Sequence, residues 1–150
     1  MWNVAVYLTL LTATCSYALW RGGPPERTAA AIILAAVILS ALVASSYRGA
    51  FAAREVGIFL VDLVMFGAAT MLALRAERFW PLCMAALLGL GLQLQLLSWM
   101  APESGRQVYK VLHALNAYPV LLVLAAGTWR HRRRLAGTGA DASWSSFSSR

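Results

Sequence analysis

Charge is what this chain has least of: Asp, Glu, Lys and Arg make up 13% of its 150 residues, against about a quarter in a soluble domain. That is too little to coat a water-facing surface of this size. Cysteine is scarce too. Cys15 and Cys83 both fall inside apolar runs, with no CxxC or metal-ligand spacing, so neither a disulfide framework nor a metal centre is expected. No HExxH, GxSxG or P-loop pattern occurs. A single histidine, His113, lies at membrane depth, so paired-histidine haem ligation within one chain is excluded. No cofactor is expected, and nothing points to an enzyme.

Apolar residues are abundant instead, at 60% of the chain with a mean hydropathy of +0.64. Lipid must solvate much of such a surface. The fold class that follows is all-α, a polytopic transmembrane helix bundle. Five apolar runs, about 2–20, 28–47, 55–74, 81–100 and 109–129, each have the length a helix needs to cross the hydrocarbon core. They make one membrane domain over 1–134. The stretch 135–150, rich in Gly, Ala and Ser, reads as a disordered cytoplasmic tail.

The punctuation agrees. Run 2–20 has no basic residue ahead of it and no convincing cleavage site behind it, so it reads as a retained span. Gly22-Gly23-Pro24-Pro25 cannot continue a helix, and Thr28 suits an N-cap for the second span. Pro81 fits the first turn of the fourth, Ala101 to Arg106 breaks the chain again, and Pro119 predicts a kink in the fifth. Trp2, Trp20, Trp80, Trp99 and Trp129 fall at span ends, where amphipathic rings prefer the headgroup zone. Ala36, Ser40 and Ala44, like Ala85 and Gly89, repeat at four-residue spacing and predict closely packed helix faces.

The net charge of +7 does not imply nucleic acid, because the basic residues sit in short turns rather than on one face. They carry orientation. With the C-terminus inside, nine arginines fall in inner segments and four Lys or Arg in outer ones, which predicts N-out/C-in. Arg130, Arg132, Arg133 and Arg134 close the last span and suit contacts with anionic lipid heads.

Polar residues at membrane depth are where an activity has to reside. Asp62 lies about 10 Å inside span three at ~1.5 Å per residue, with Glu55 two turns earlier on the same face. His113 and Asn116 share a face of span five. Gln93 and Gln95 of span four come to similar depth, as do Ser40, Ser45 and Ser46 of span two and Thr9 of span one. All gather in the outer half. Either they are hydrogen-bond glue between helices, or they line an outward pocket in which Asp62 and His113 exchange a proton or hold a ligand.

The Arg21-Gly22-Gly23 turn, the Arg78-Phe79-Trp80-Pro81-Leu82 junction and the Thr128-Trp129-Arg130-His131-Arg132-Arg133-Arg134 end resemble those of small uncharacterised multi-span bacterial inner-membrane proteins. The resemblance implies a multi-pass protein of the cytoplasmic membrane and carries over no activity and no functional residue. The chain then reads as an accessory or scaffold subunit acting through helix–helix contacts, with the bilayer and another membrane protein or a second copy as partners. The alternative is a small carrier or proton-coupled module built on Asp62, Glu55, His113 and Asn116.

Overall fold

A computed structural model describes residues 2–46, 51–76 and 78–138. Over these the chain is five α-helices: α1 (Trp2–Arg21), α2 (Pro24–Ser46), α3 (Phe51–Arg75), α4 (Trp80–Met100) and α5 (Glu103–Thr138). Four stretches are long and apolar enough to cross a membrane: Pro24–Ser46, Arg54–Arg75, Trp80–Met100 and Gly105–Gly137.

The helix ends follow from residue chemistry, with some shifts from expectation. Gly22 N–H still bonds Ala18 O at 2.9 Å, and the Arg27 side chain donates to Gly22 O at 3.1 Å, closing the end of α1. Thr28 is no cap. Helix α2 opens a turn earlier, because Pro24 and Pro25 occupy positions whose N–H groups would be unused anyway, and Thr28 donates back to Pro24 O at 2.9 Å. In α4, Pro81 stands in the first turn as expected, and Ala101 turns extended to end the helix. Helix α5 starts at Glu103 and runs through Pro119 without interruption. It also continues to Thr138, four residues into the expected tail; the remaining tail residues, Trp144 among them, lie outside the described part.

The helices form a closed circuit. Each packs on its sequence neighbour, α1 returns onto α5, and α2 also meets α5. The end carrying the α2–α3 and α4–α5 connections is called upper here, and the end carrying the α1–α2 and α3–α4 turns lower. The dry core fills the middle and lower part: Leu11 and Cys15 of α1, Ala29, Ala30 and Ile33 of α2, Met84 of α4 and Leu124 of α5 are nearly or fully buried. The expected small-residue faces are partly realised. Ala36 and Ala85 are buried, and Gly89 lies against the Phe66 ring.

The tryptophans divide. Trp20, at the end of α1, and Trp129, inside α5, are exposed, and Arg133 lies 4.8 Å over the Trp129 ring. Trp80 departs from the interfacial expectation: it is buried against the bare backbone of Gly127. A Cβ at Gly127 would stand 2.8 Å from the indole, a rigid ring with nowhere to move. Gly127→Ala should therefore destabilise the bundle by about 1–3 kcal/mol through overpacking, read as a lowered Tm in detergent, while Gly137→Ala, in open space, should leave it unchanged.

Candidate functional site

Two polar constellations occupy opposite ends of the bundle. The upper one surrounds a cavity of about 680 Å³ lined from all five helices: by Val4 and Tyr7 of α1, one face each of α2, α3 and α4, and much of Val111 to Leu121 of α5. Most of the lining is apolar; the polar residues are Tyr7, Ser40, Asp62, His113, Asn116 and Tyr118, drawn from four of the helices. Val4, Val111 and Leu115 on its edge are exposed, so the cavity opens at the upper ends of α1 and α5.

His113 and Asn116 hang from α5 one turn apart and reach across to α4. Asn116 Nδ2 donates to Leu87 O at 2.7 Å, and His113 Nδ1 meets Gly91 O at 3.0 Å. These carbonyls already accept a helical bond and use their second lone pair. The reach needs a bare backbone at Gly91, where a Cβ would come within 3.1 Å of Asn116 Nδ2. Asn116 is thus interhelical glue. His113 is more, because its other nitrogen faces α3: Nε2 lies 3.6 Å from Asp62 Oδ2.

That orientation fixes the protons. A carbonyl only accepts, so His113 Nδ1 carries a hydrogen. In a neutral ring Nε2 is then a lone pair aimed at a carboxylate oxygen, and two acceptors without a hydrogen between them repel. One further proton, on either partner, turns that repulsion into attraction. Asp62 Oδ2, the oxygen turned toward His113, is buried and accepts no hydrogen bond, while a quarter of the Asp62 side chain stays open and lines the cavity.

Glu55 does not extend an open acidic path. It pairs with Lys110 at 2.6 Å nearer the mouth, so each α3 carboxylate meets a basic group of α5. Both bridges are made by side chains alone, since the α3 and α5 backbones do not touch. Gln93 and Gln95 are not brought to the cavity: Gln93 is exposed on the outside of α4, and Gln95 Oε1 is buried without a partner. Nor are the expected hydroxyls glue. Thr9 donates to Ala5 O, and Ser45 and Ser46 to Leu42 O, all within their own helices; Ser40 lines the cavity.

The lower constellation was not legible beforehand. Glu26 is wholly buried, ion-paired with Arg78, and accepts a bond from Trp80 Nε1 at 3.1 Å. Arg78 Nη2 also lies 3.1 Å from His131 Nδ1. A guanidinium only donates, so this ring nitrogen is bare, the opposite assignment from His113. Three segments read as turn or topology signals thus lock together: the α1–α2 turn, the α3–α4 turn and the end of α5. One signal was available. His131 follows His113 by eighteen residues, five helical turns at 3.6 residues per turn, and so shares the inward face of α5. Arg130, Arg132, Arg133 and Arg134 are exposed around it. Among the described residues no group of His, Cys, Asp and Glu is arranged to hold a metal ion.

No family model, curated protein or solved structure matches the chain.

Removing one partner of a buried ion pair strands the other, at a cost of about 3–5 kcal/mol, whereas replacing both by apolar groups is often neutral. Arg78→Met should lower the detergent Tm strongly, and adding Glu26→Leu to it should restore much of the loss. Equal losses in the single and double variants would show that the pairing is not what holds the lower end.

Proposed function

We propose that the protein is a small carrier or proton-coupled module of the bacterial inner membrane, with five spans in an N-out/C-in arrangement. The reading rests on one observation: Asp62 and His113 stand 3.6 Å apart on the wall of a cavity lined from every helix. A cavity of several hundred Å³ with a few convergent polar groups is the usual form of a ligand site, and intramembrane acid–histidine pairs suit proton relay. Helix α1 supports the fifth span: its 20 residues pack between α2 and α5 and close the circuit. In the orientation that the basic residues favour, the cavity faces outward and the Glu26–Arg78–His131 cluster closes the cytoplasmic side. Asp62 and His113 then carry the proton, Asn116 and Gly91 position His113, and Glu55 with Lys110 guards the mouth. In proteoliposomes enclosing a pH-sensitive dye, Asp62→Asn and His113→Gln should each abolish the proton movement that the wild-type protein supports, with Tm little changed. Undiminished flux in both variants refutes the reading.

A second reading, an accessory subunit acting by helix contact with another membrane protein or a second copy, is favoured by Gln93. An exposed amide at that depth of α4 lacks a hydrogen-bond partner in lipid and is satisfied by a neighbouring helix. Gln93→Cys should then form intermolecular cross-links in membranes, and Gln93→Leu should lower the assembled fraction in mild detergent. A monomer without cross-links counts against it.

A further inference from the structure

The cavity states more about its occupant than that it exists. Among the described residues that line it, the ionisable groups are Asp62 and His113 with Tyr7 of α1 and Tyr118 of α5; α2 and α4 contribute none, and no Lys or Arg faces it. Toward the mouth Glu55 and Lys110 pair with one another. An anionic ligand would find one histidine already engaged with Gly91 and Asp62. A cationic ligand would find the Asp62 carboxyl group, a quarter of whose side chain stays open on the cavity wall. It would also find two aromatic rings: Tyr7 and Tyr118 meet edge to face with centroids 5.8 Å apart, and such rings attract a cation over their faces. The rest of the lining is aliphatic, and the exposed rim of Val4, Val111 and Leu115 sits where a lipid-dissolved molecule arrives.

Resting on the proton-coupled reading above, we infer that the cavity binds a lipophilic organic cation, seated between Asp62 and the Tyr7–Tyr118 pair, in exchange for the proton held by Asp62 and His113. The exchange balances. Without ligand the site holds one carboxylate, one imidazole and one proton, and is neutral. A monovalent cation entering that assembly would leave a net charge in an apolar cavity, which is costly. When the proton departs to the water at the mouth, the carboxylate faces the ligand cation, the imidazole is neutral, and the site is neutral again. Cation entry and proton exit are therefore one electroneutral step, and no bond other than those to hydrogen is made or broken.

The test uses the full-length protein in detergent, weakly buffered, with a pH-indicator dye. Tetraphenylphosphonium is the probe, and tetraphenylborate, of like shape and opposite charge, is the counter-probe. The phosphonium should bind with release of roughly one proton per cation and the borate should not, because a buried site resists net charge. Asp62→Asn should weaken phosphonium binding by roughly thirtyfold or more and abolish the release, while Asp62→Glu retains both. Retained helicity and Tm in the Asn variant separate loss of binding from loss of fold. Equal binding of both probes, or phosphonium binding without proton release, overturns the assignment. A parallel pH titration of nitrogen-labelled histidine by NMR tells the two failures apart. If His113 titrates together with Asp62 but neither probe binds, the cation is wrong and the proton-coupled reading stands; if the pair does not titrate, both fall.

Discussion

Hydrocarbon offers no hydrogen-bond partner, so each polar group carried into it must be answered from within the protein, and most features of this bundle are such answers. Hydroxyls return to the carbonyls of their own helix, as Thr128 does at 2.9 Å from Leu124 O. Side chains too long for that cross to a neighbour: Asn116 and His113 take carbonyls of α4. A full charge needs an opposite charge, and Glu26 has Arg78. Among the described residues a few polar atoms keep no hydrogen-bond partner, Asp62 Oδ2 and Gln95 Oε1 among them, and the Gln93 amide stands exposed. Asp62 and Gln93 carry the two functional readings because of where they stand, one beside His113 on the cavity wall and the other on the outer face of α4.

The two ends of the molecule solve the same problem differently. At the lower end the α1–α2 turn, the α3–α4 turn and α5 converge on Glu26, the indole of Trp80 fills the space over Gly127, and the way through is shut. Above it comes a dry layer around Leu124, Met84 and Ile33. Only then does the interior widen into the cavity. Helix α5 supplies residues to the cavity wall, to the core beneath it and to the lower cluster.

Helix number and most helix boundaries were legible because hydropathy and Pro–Gly punctuation report directly on solvation and backbone geometry. The gathering of Asp62, His113 and Asn116 was legible as a shared depth, since residue count along a helix measures distance. Facing was not. Gln93 and His113 have similar depth, yet one points outward and the other inward, because rotation about each helix axis is set by packing that no single run encodes. The lower cluster stayed hidden for a different reason. Glu26, Arg78 and His131 lie in segments whose composition already had a sufficient explanation in turns and orientation, and Trp80 looked like one more interfacial ring. Burial, which gives those residues their meaning, is a property of three distant segments together.

The glycine at position 91 has a mechanical consequence. By letting two α5 side chains grip the backbone of α4, it pins the two helices in one register, and a slip of a single turn would break both bonds and drive side chain into side chain. Helix α3 is attached to α5 quite otherwise, through the tips of Lys110 and His113, with no backbone contact beneath them. The upper rim therefore has one riveted seam and one held by two pins. Along the seam between α3 and α5, Asp62 and Glu55 therefore depend on two α5 side chains for their position, while α3 itself rests on α2 and α4.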